Sequence, residues 1–247
     1  MKKLMLTLTA AMAGALVFSP AASAAVVAIT QAKALAGGIT PGDGPGFPVT
    51  LSLSGTYQLS TNLQAPAGVN AIDATAVDTT INLNGFKIDG GGVATIGINS
   101  TQRSLTVRNG TVRGFTSVGI AGGGALDTIE NMRIEGNGGD GLSFSPQGFA
   151  RIVNNVIFGN VGSGIFCSKA CHIEGNQISN NVLAGVNLSS FGGFVLGNTI
   201  FGNGGSGIFT TSNTAVGTNM LSSNRNPQIG GGGPKSLGTN LCNATAC

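Results

Sequence analysis

Charge is scarce in this sequence, and the scarcity excludes some partners. Asp, Glu, Lys and Arg make up 9% of the 247 residues, and the formal net charge at pH 7 is +3. Two of the 12 basic residues, Lys2 and Lys3, lie at the start of the chain, and without them the net charge is +1. Nucleic-acid binding requires clustered Lys and Arg. We therefore expect no nucleic-acid partner.

Tryptophan is absent, and tyrosine and histidine each occur once. The core must therefore be built from Ile, Val, Leu, Phe and Ala. The single histidine, His172, completes no structural zinc pattern with the cysteines, so no metal site is expected. No acid or nucleophile is expected in the positions that flank His172 in the repeat described below, and we interpret it as a surface turn residue.

Long apolar runs are also missing, apart from one at the N-terminus. Lys2 and Lys3 are followed by an apolar run over residues 4–18 and by the small-residue motif Ala22-Ser23-Ala24. This pattern predicts a secretory signal peptide cleaved after Ala24, and hence a periplasmic or secreted protein. No later run approaches the length of a membrane-spanning helix, so no membrane span is expected.

Cysteine is sparse, and the four residues form two close pairs. In an exported chain such pairs predict local disulfides, although four cysteines allow three connectivities. The residues are Cys167, Cys171, Cys242 and Cys247.

Glycine, in contrast, is abundant and partly periodic, with 42 residues. Six glycines recur at intervals of 21 to 23 residues, each followed by an aliphatic residue: Gly97, Gly119, Gly141, Gly164, Gly185 and Gly207. A second, aliphatic series runs in phase with them: Ile88, Val112, Ile134, Ile157, Ile178, Ile200 and Leu221. A fixed period of this size indicates stacked repeats, none of which can bury its apolar face alone.

One repeat contains several short segments of alternating polarity separated by turn residues. Leu105 and Val107 alternate with polar residues, Asn109-Gly110 turns the chain, and Val112 points inward from the next short strand. Because these segments are too short to form hairpins, each strand should pair with its equivalent one repeat away, about 4.8 Å along the stack. The pattern therefore predicts a parallel β-helix.

Two series of asparagines recur at the bends of this repeat. Asparagine tolerates left-handed backbone and its side-chain amides can stack along an axis, so we interpret both series as structural ladders. They are Asn137, Asn160, Asn181, Asn203 and Asn224, and Asn155, Asn176, Asn198 and Asn219.

The repeat unit resembles the right-handed parallel β-helix family of pectate lyases, polygalacturonases and alginate epimerases. The resemblance rests on Asn155-Val156-Ile157-Phe158-Gly159-Asn160 and on Ile81-Asn82-Leu83-Asn84-Gly85-Phe86, and it covers roughly residues 49–226. It implies an all-β, single-stranded, right-handed solenoid of about eight to nine coils. These motifs specify the fold rather than the chemistry, because many activities share it.

The remaining segments are expected to close the solenoid. We divide the chain into a signal peptide (1–24), an N-terminal cap and loop (25–47), the parallel β-helix (48–226) and an irregular C-terminal cap or tail (227–247). The apolar positions after residue 25 predict a short capping helix, but Val26, Val27 and Ile29 equally suit a capping strand.

The repeat register places five charged residues on one outward face of the early coils: Lys87, Asp89, Arg113, Arg133 and Glu135. The resemblance to lyases of this fold implies Lys87, Arg113 and Glu135 as catalytic candidates, with a basic residue removing the proton beside a uronate carboxylate. Asp89 or Glu135 would then contact calcium or a hydroxyl. The alternative interpretation is a ladder of opposite charges that stabilises the sheet modestly.

Outward phenylalanines form the other candidate binding feature. Phe158 and Phe201 recur two coils apart, as do Phe166 and Phe209, and two coils span roughly 9.6 Å, of the order of two sugar units. Exposed rings stack against sugar faces. The same rings could instead fill turns or be covered by a loop or a partner.

The hallmark residues of the known hydrolases and epimerases of this fold are missing. The six aspartates are scattered over different coils, and neither Gly-His-Gly nor Asp-Pro-His occurs. We therefore expect an exported, non-catalytic protein that contacts a polysaccharide or the cell envelope through the charged residues Asp89 and Arg133 and the phenylalanines, without a cofactor. The alternative is a small polysaccharide lyase acting on uronate-containing glycans, in which calcium could take part.

Overall fold

The structure is a computed structural model that describes residues 25–146, 149–189, 192–211 and 213–247. The predicted signal peptide (1–24) lies outside the described residues. Within them, no helix is long and apolar enough to cross a membrane.

The described residues form short β-strands joined by turns, with one short helix. In chain order the elements are β1 (Val27–Ile29), α1 (Gln31–Ala36), β2 (Val49–Leu51), β3 (Gly55–Leu59), β4 (Leu63–Gln64), β5 (Ile72–Ala74), β6 (Thr79–Asn82), β7 (Lys87–Asp89), β8 (Ile98–Ser100), β9 (Thr106–Arg113), β10 (Ile120–Gly122), β11 (Thr128–Glu135), β12 (Leu142–Phe144), β13 (Ala150–Val153), β14 (Val156–Phe158), β15 (Ile165–Cys167), β16 (Cys171–Glu174), β17 (Gln177–Ser179), β18 (Val186–Leu188), β19 (Phe194–Leu196), β20 (Thr199–Phe201), β21 (Ile208–Thr210), β22 (Ala215–Gly217), β23 (Met220–Ser222), β24 (Ile229–Gly231), β25 (Lys235–Ser236), β26 (Leu241–Cys242) and β27 (Thr245–Ala246).

Each coil contributes to three parallel faces, which we call sheets I, II and III. Sheet I is a separate 9-stranded sheet: β2, β5, β8, β10, β12, β15, β18, β21 and β24. Sheet II contains β1, β3, β6, the first halves of β9 and β11, β13, β16, β19, β22 and β25. Sheet III contains β4, β7, the second halves of β9 and β11, β14, β17, β20, β23 and β26. The nine strands of sheet I confirm a parallel β-solenoid of about nine coils.

The core lies along the solenoid axis and is formed by the two predicted series of aliphatic side chains. Equivalent residues of successive coils pair in register, as in Ile134 with Ile157 and Ile120 with Leu142. Both series are fully buried in the structure. Burying one such side chain contributes about 1.5–3 kcal/mol, so the stacking of coils is the main source of stability.

The periodic glycines are required by close approach between coils rather than by unusual backbone angles. A Cβ atom on Gly164 would lie 2.8 Å from the carbonyl oxygen of Gly185 and 2.6 Å from Cγ2 of Ile178. It would also lie 2.8 Å from Nδ2 of Asn181. Atoms do not approach a Cβ this closely, so any side chain here would push neighbouring coils apart.

The asparagine ladders are present as predicted and are buried inside the bends. In each ladder the side-chain Nδ2 donates to Oδ1 of the asparagine in the next coil, at 2.9–3.0 Å. The second ladder continues one step further than predicted, to Asn240. The structural interpretation of the asparagines is thereby confirmed.

The N-terminal cap contains both elements that the sequence allowed. Val27–Ile29 forms β1, which pairs with β3 at the end of sheet II. Thr30 then caps α1, its Oγ1 accepting a hydrogen bond from Lys33 N at 3.1 Å, and the helix ends at Ala36 with Gly37 as its C-cap. The β-branched start thus forms a strand, and the helix begins where those residues end.

The segment 227–247, expected to be irregular, contains further strands in register with the solenoid. β24, β25 and β26 each pair in parallel with the preceding coil, and β27 then folds back antiparallel to β26. Cys242 pairs with Leu221 and occupies the inward position that aliphatic residues hold in earlier coils. Because cysteine replaces the aliphatic residue there, the pattern in the sequence is interrupted at this coil.

Candidate functional site

The structure brings the five predicted charged residues together on the outer surface of sheet III. Strand pairing places Asp89 beside Arg113, Arg113 beside Glu135, and Glu135 beside Phe158. Side chains two residues apart on a strand point to the same side, so Lys87 and Arg133 project from the same surface. The site therefore spans four successive strands, β7, β9, β11 and β14.

The charged groups form one continuous chain of ion pairs. Arg113 bridges the two acids, with Nη2 2.7 Å from Asp89 Oδ2 and Nη1 3.8 Å from Glu135 Oε1. Lys87 Nζ lies 3.4 Å from Asp89 Oδ2, and Arg133 Nε lies 2.6 Å from Glu135 Oε2. The carboxylates are sheltered, with side-chain exposures of 12% and 17%, whereas Lys87, Arg113 and Arg133 are 39%, 43% and 52% exposed. The outer surface of the cluster is therefore cationic.

The pairing shifts two pKa values in opposite directions. Burial alone would raise the pKa of Asp89, but the N–H of Gly91 and the Arg113 guanidinium outweigh it and hold that pKa below its ordinary value. The hydrogen bond and charge of Asp89 raise the pKa of Arg113. Both shifts favour the charged forms, so the pair stays ionised.

An aromatic ring completes the site. The Arg133 guanidinium lies 4.4 Å from the centroid of the Phe158 ring, which is cation–π distance. Together with Asp89, Arg113 and Glu135 these residues line an open depression of about 500 Å³, whose remaining walls are glycine. We call this feature the charged depression.

The other predicted phenylalanines lie outside the charged depression. Phe201 is on sheet III, two coils beyond Phe158, and is partly buried. Phe166 and Phe209 lie on sheet I, one on each side of Asn187. The four rings therefore divide between two faces and do not form one platform.

The positions that flank His172 in the neighbouring coils hold no acid, as expected, but an acid lies two residues further along its own strand. Nε2 of His172 lies 3.0 Å from Oε2 of Glu174. Residues i and i+2 of a strand share one side, whereas the prediction concerned only the equivalent positions in neighbouring coils. Its predicted neighbours there, Arg151 and Phe194, are present.

Metal ligands are not grouped in the part of the chain that the structure describes: no three His, Cys, Asp or Glu side chains are arranged to hold a metal ion. The cysteines form the two local disulfides, Cys167–Cys171 and Cys242–Cys247. The first lies between sheets I and II, and the second closes the C-terminal β26–β27 hairpin.

Similarity to known proteins is found among solved structures and family models. No curated protein sequence matches the chain. Among solved structures, it is similar to the A-modules of two Azotobacter vinelandii mannuronan C-5 epimerases. For AlgE4 the identity is 15%, the TM-score 0.45 and the coverage 87% of this chain and 78% of the other. For AlgE6 the identity is 16%, the TM-score 0.45 and the coverage 83% and 69%.

The chain is also similar to the Dettilon tailspike protein, at 12% identity and a TM-score of 0.36, with 86% of this chain and 60% of that one covered. The family model for the right handed beta helix region matches residues 65–196, more than half of the 247 residues. The protein therefore belongs to the right-handed β-helix family.

Proposed function

We propose that this protein is an exported, non-catalytic binder of acidic polysaccharide, and that the charged depression is its binding surface. The observation that carries the proposal is the unequal exposure of the two signs of charge. Two cationic groups in the depression and Lys87 beside it are 39–52% exposed, whereas the two carboxylates between them are only 12% and 17% exposed. A ligand approaching this face meets cations, and the carboxylates act mainly to hold those cations in place.

The shape and the aromatic ring fit a sugar chain. The depression is open and crosses four strands, which is roughly 14 Å at the spacing of strands in a sheet. Phe158 offers an apolar ring beside the Arg133 guanidinium, so a uronate can place its apolar face on the ring and its carboxylate on the cation.

The same contacts favour binding over catalysis. A general base must lose its proton, yet Asp89 stabilises the protonated form of Arg113 and raises its pKa. Glu135 is engaged by Arg113 on one oxygen and by Arg133 on the other. These contacts oppose loss of the Arg113 proton and occupy both carboxylate oxygens of Glu135, and binding through them needs no cofactor.

Export belongs to the same proposal. The predicted signal peptide and the two disulfides of the structure both suit a periplasmic or secreted protein. In either compartment a polysaccharide or another envelope component is within reach of the charged depression.

The test is the affinity of the full chain for polygalacturonate and alginate, measured by calorimetry at low salt with dextran as the neutral reference. We expect saturable binding to at least one acidic polymer, and about tenfold weaker binding, or ~1.4 kcal/mol, for Arg133→Gln. Arg225→Gln, an exposed arginine outside the charged depression, is the matched control and should bind normally. Wild-type protein that binds neither acidic polymer would overturn the proposal.

The lyase alternative is supported by the clustering of Lys87, Arg113 and Glu135 on one surface, where Asp89 or Glu135 could contact calcium. The same polymers test it, through the ultraviolet absorbance of unsaturated chain ends, with and without calcium. The binding proposal expects no absorbance change in either condition. A change that is lost in Arg113→Gln would replace binding with lyase activity.

A further inference from the structure

A second groove lies on the outer surface of sheet II, away from the charged depression. Arg151, His172 and Phe194 occupy equivalent positions on β13, β16 and β19, one coil apart from each other. They give this surface a row consisting of a guanidinium, an imidazole and a phenyl ring. Such a row is unusual on a chain in which charged residues are scarce and histidine occurs once.

The first half of the groove is aromatic. Phe149 and Phe194 are 63% and 50% exposed, although large apolar side chains usually avoid water. With Ala150, Cys171 and Gly193 they line a pocket of about 230 Å³. The His172 ring lies 5.9 Å from the Phe194 ring, tilted by 37°. This half has the size and the apolar walls to take a single ring.

The second half of the groove is polar. A pocket of about 340 Å³ is lined by Asn154, Glu174 and small or aliphatic residues. Arg151 lines both pockets, so the two halves are continuous. Through Oε2, Glu174 contacts the His172 ring, and its side chain is 53% exposed.

The charge of the groove differs from that of the charged depression. Arg151 lies 3.8 Å from Glu130, and Glu174 adds a second carboxylate to the same surface. The carboxylates here are 27% and 53% exposed, compared with 12% and 17% in the charged depression. Arg151 is itself 55% exposed, so the groove presents both signs of charge to a ligand, whereas the charged depression presents mainly cations.

We propose that this groove is a second binding site and that it takes a neutral oligosaccharide. One sugar ring stacks between Phe149 and Phe194, through the apolar C–H face that pyranose rings present. The hydroxyls of the adjoining sugar donate to Glu174 and accept from the Arg151 guanidinium. The inference does not rest on the acidic-polysaccharide proposal, because it uses a different sheet and a different set of residues.

The single histidine makes the test specific. We would titrate the full chain with cellotriose, maltotriose and mannotriose and follow the imidazole resonances of His172 by NMR, since no other histidine contributes a signal. Saturable shifts with at least one trisaccharide are expected. Phe194→Ala and Glu174→Gln should each weaken that binding at least tenfold. Leu183→Ala, at an exposed apolar position outside the groove, is the matched control and should leave it unchanged.

Two results would overturn the inference. One is the absence of any saturable His172 shift with all three trisaccharides. The other is a shift that persists unchanged in both Phe194→Ala and Glu174→Gln. Because Phe194 and Glu174 are exposed, both variants should fold, which circular dichroism and thermal unfolding would verify before the titration. Loss of polygalacturonate binding in Arg133→Gln would bear only on the charged depression.

Discussion

At the scale of single residues, Asp127 is the group whose environment departs most from that of an ordinary surface acid. The residue is 1% exposed and lies in the bend between sheets I and II. Oδ1 accepts a hydrogen bond from Leu105 N at 2.9 Å, whereas Oδ2 has no hydrogen-bond partner among the described residues. Burial raises the pKa of Asp127 to about 6, and the bond from Leu105 lowers it only in part.

This shift predicts that the protein loses stability as the pH rises. The unfolded chain releases the Asp127 proton near the ordinary value of 3.8, whereas the folded chain retains it up to about 6. Between these values the folded state binds more protons, so the free energy of unfolding falls with increasing pH and is lowest above about 6. The contribution is about 3 kcal/mol at 1.36 kcal/mol per pKa unit.

The measurement is denaturant unfolding at several pH values from about 4 to about 7.5. In Asp127→Asn, which keeps the Oδ1 acceptor, the fall in stability over this range should be clearly smaller than in the wild type. Asp140, whose pKa burial also raises, contributes in the same direction and accounts for a remaining slope. Asp78→Asn, at an exposed position, is the control. An unchanged pH profile in Asp127→Asn would contradict this account.

At the scale of elements, the N-terminal strand edges are covered by specific side chains. Asp43 accepts from Thr50 N at 2.8 Å and from Ile39 N at 2.9 Å, and Thr40 Oγ1 donates to Thr50 O at 2.6 Å. The side chain of Gln31 both donates to and accepts from the backbone of Gln64 on β4. Since uncovered strand edges are sites of aggregation, these contacts end the solenoid at its first coil.

Among the elements, the asparagine ladders should cause the largest loss in the free energy of unfolding when they are disrupted. Asn181 accepts from the backbone N–H and the side-chain amide of Asn160, and donates to Asn203, at 2.9–3.1 Å. Asn181→Ala leaves these buried groups without partners, each at a cost of about 1–3 kcal/mol. We expect a loss of several kcal/mol in denaturant unfolding, and little change in Asn226→Ala, where the asparagine is exposed. A loss below 1 kcal/mol in Asn181→Ala would show that the ladder is dispensable.

These elements differ in how well they could be predicted from the sequence. The repeat period determines which residues become neighbours in successive coils, so the core, the asparagine ladders and the row from Asp89 to Phe158 were predictable. The covering of β2 by Asp43 was not, because it depends on how the irregular loop before β2 folds back over that strand. The contact between His172 and Glu174 could have been predicted, because residues at i and i+2 on one strand point to the same side.

Side-chain conformation limited the prediction of the charged depression. The register places Arg113 between two acids, but only the structure shows that it bridges both and that Arg133 lies over Phe158. The unequal exposure of cations and carboxylates, on which the proposed function depends, likewise follows from rotamers. The residues of the site could therefore be predicted from the sequence. Which of their charges face a ligand could be seen only in the structure.

At the scale of the whole molecule, the solenoid presents two proposed sites of different chemistry on neighbouring sheets. Sheet III carries exposed cations with sheltered carboxylates, and sheet II carries an aromatic pocket beside exposed carboxylates. Because the remaining surface has few charges, no long-range field of one sign steers every ligand to the same face. The two sites should therefore respond independently to solution conditions.

Ionic strength separates the two sites. Binding of an acidic polymer depends on partly exposed charges, and salt screens these over about 8 Å at 0.15 M. We expect polygalacturonate affinity to fall at least severalfold between low salt and about 0.5 M NaCl, while the neutral trisaccharide that shifts the His172 resonances binds equally well in both. Calorimetry and NMR on the same wild-type sample provide the comparison. If the affinity for polygalacturonate were insensitive to salt, the exposed cations of sheet III could not be its main contacts, and stacking on Phe158 would have to account for the binding.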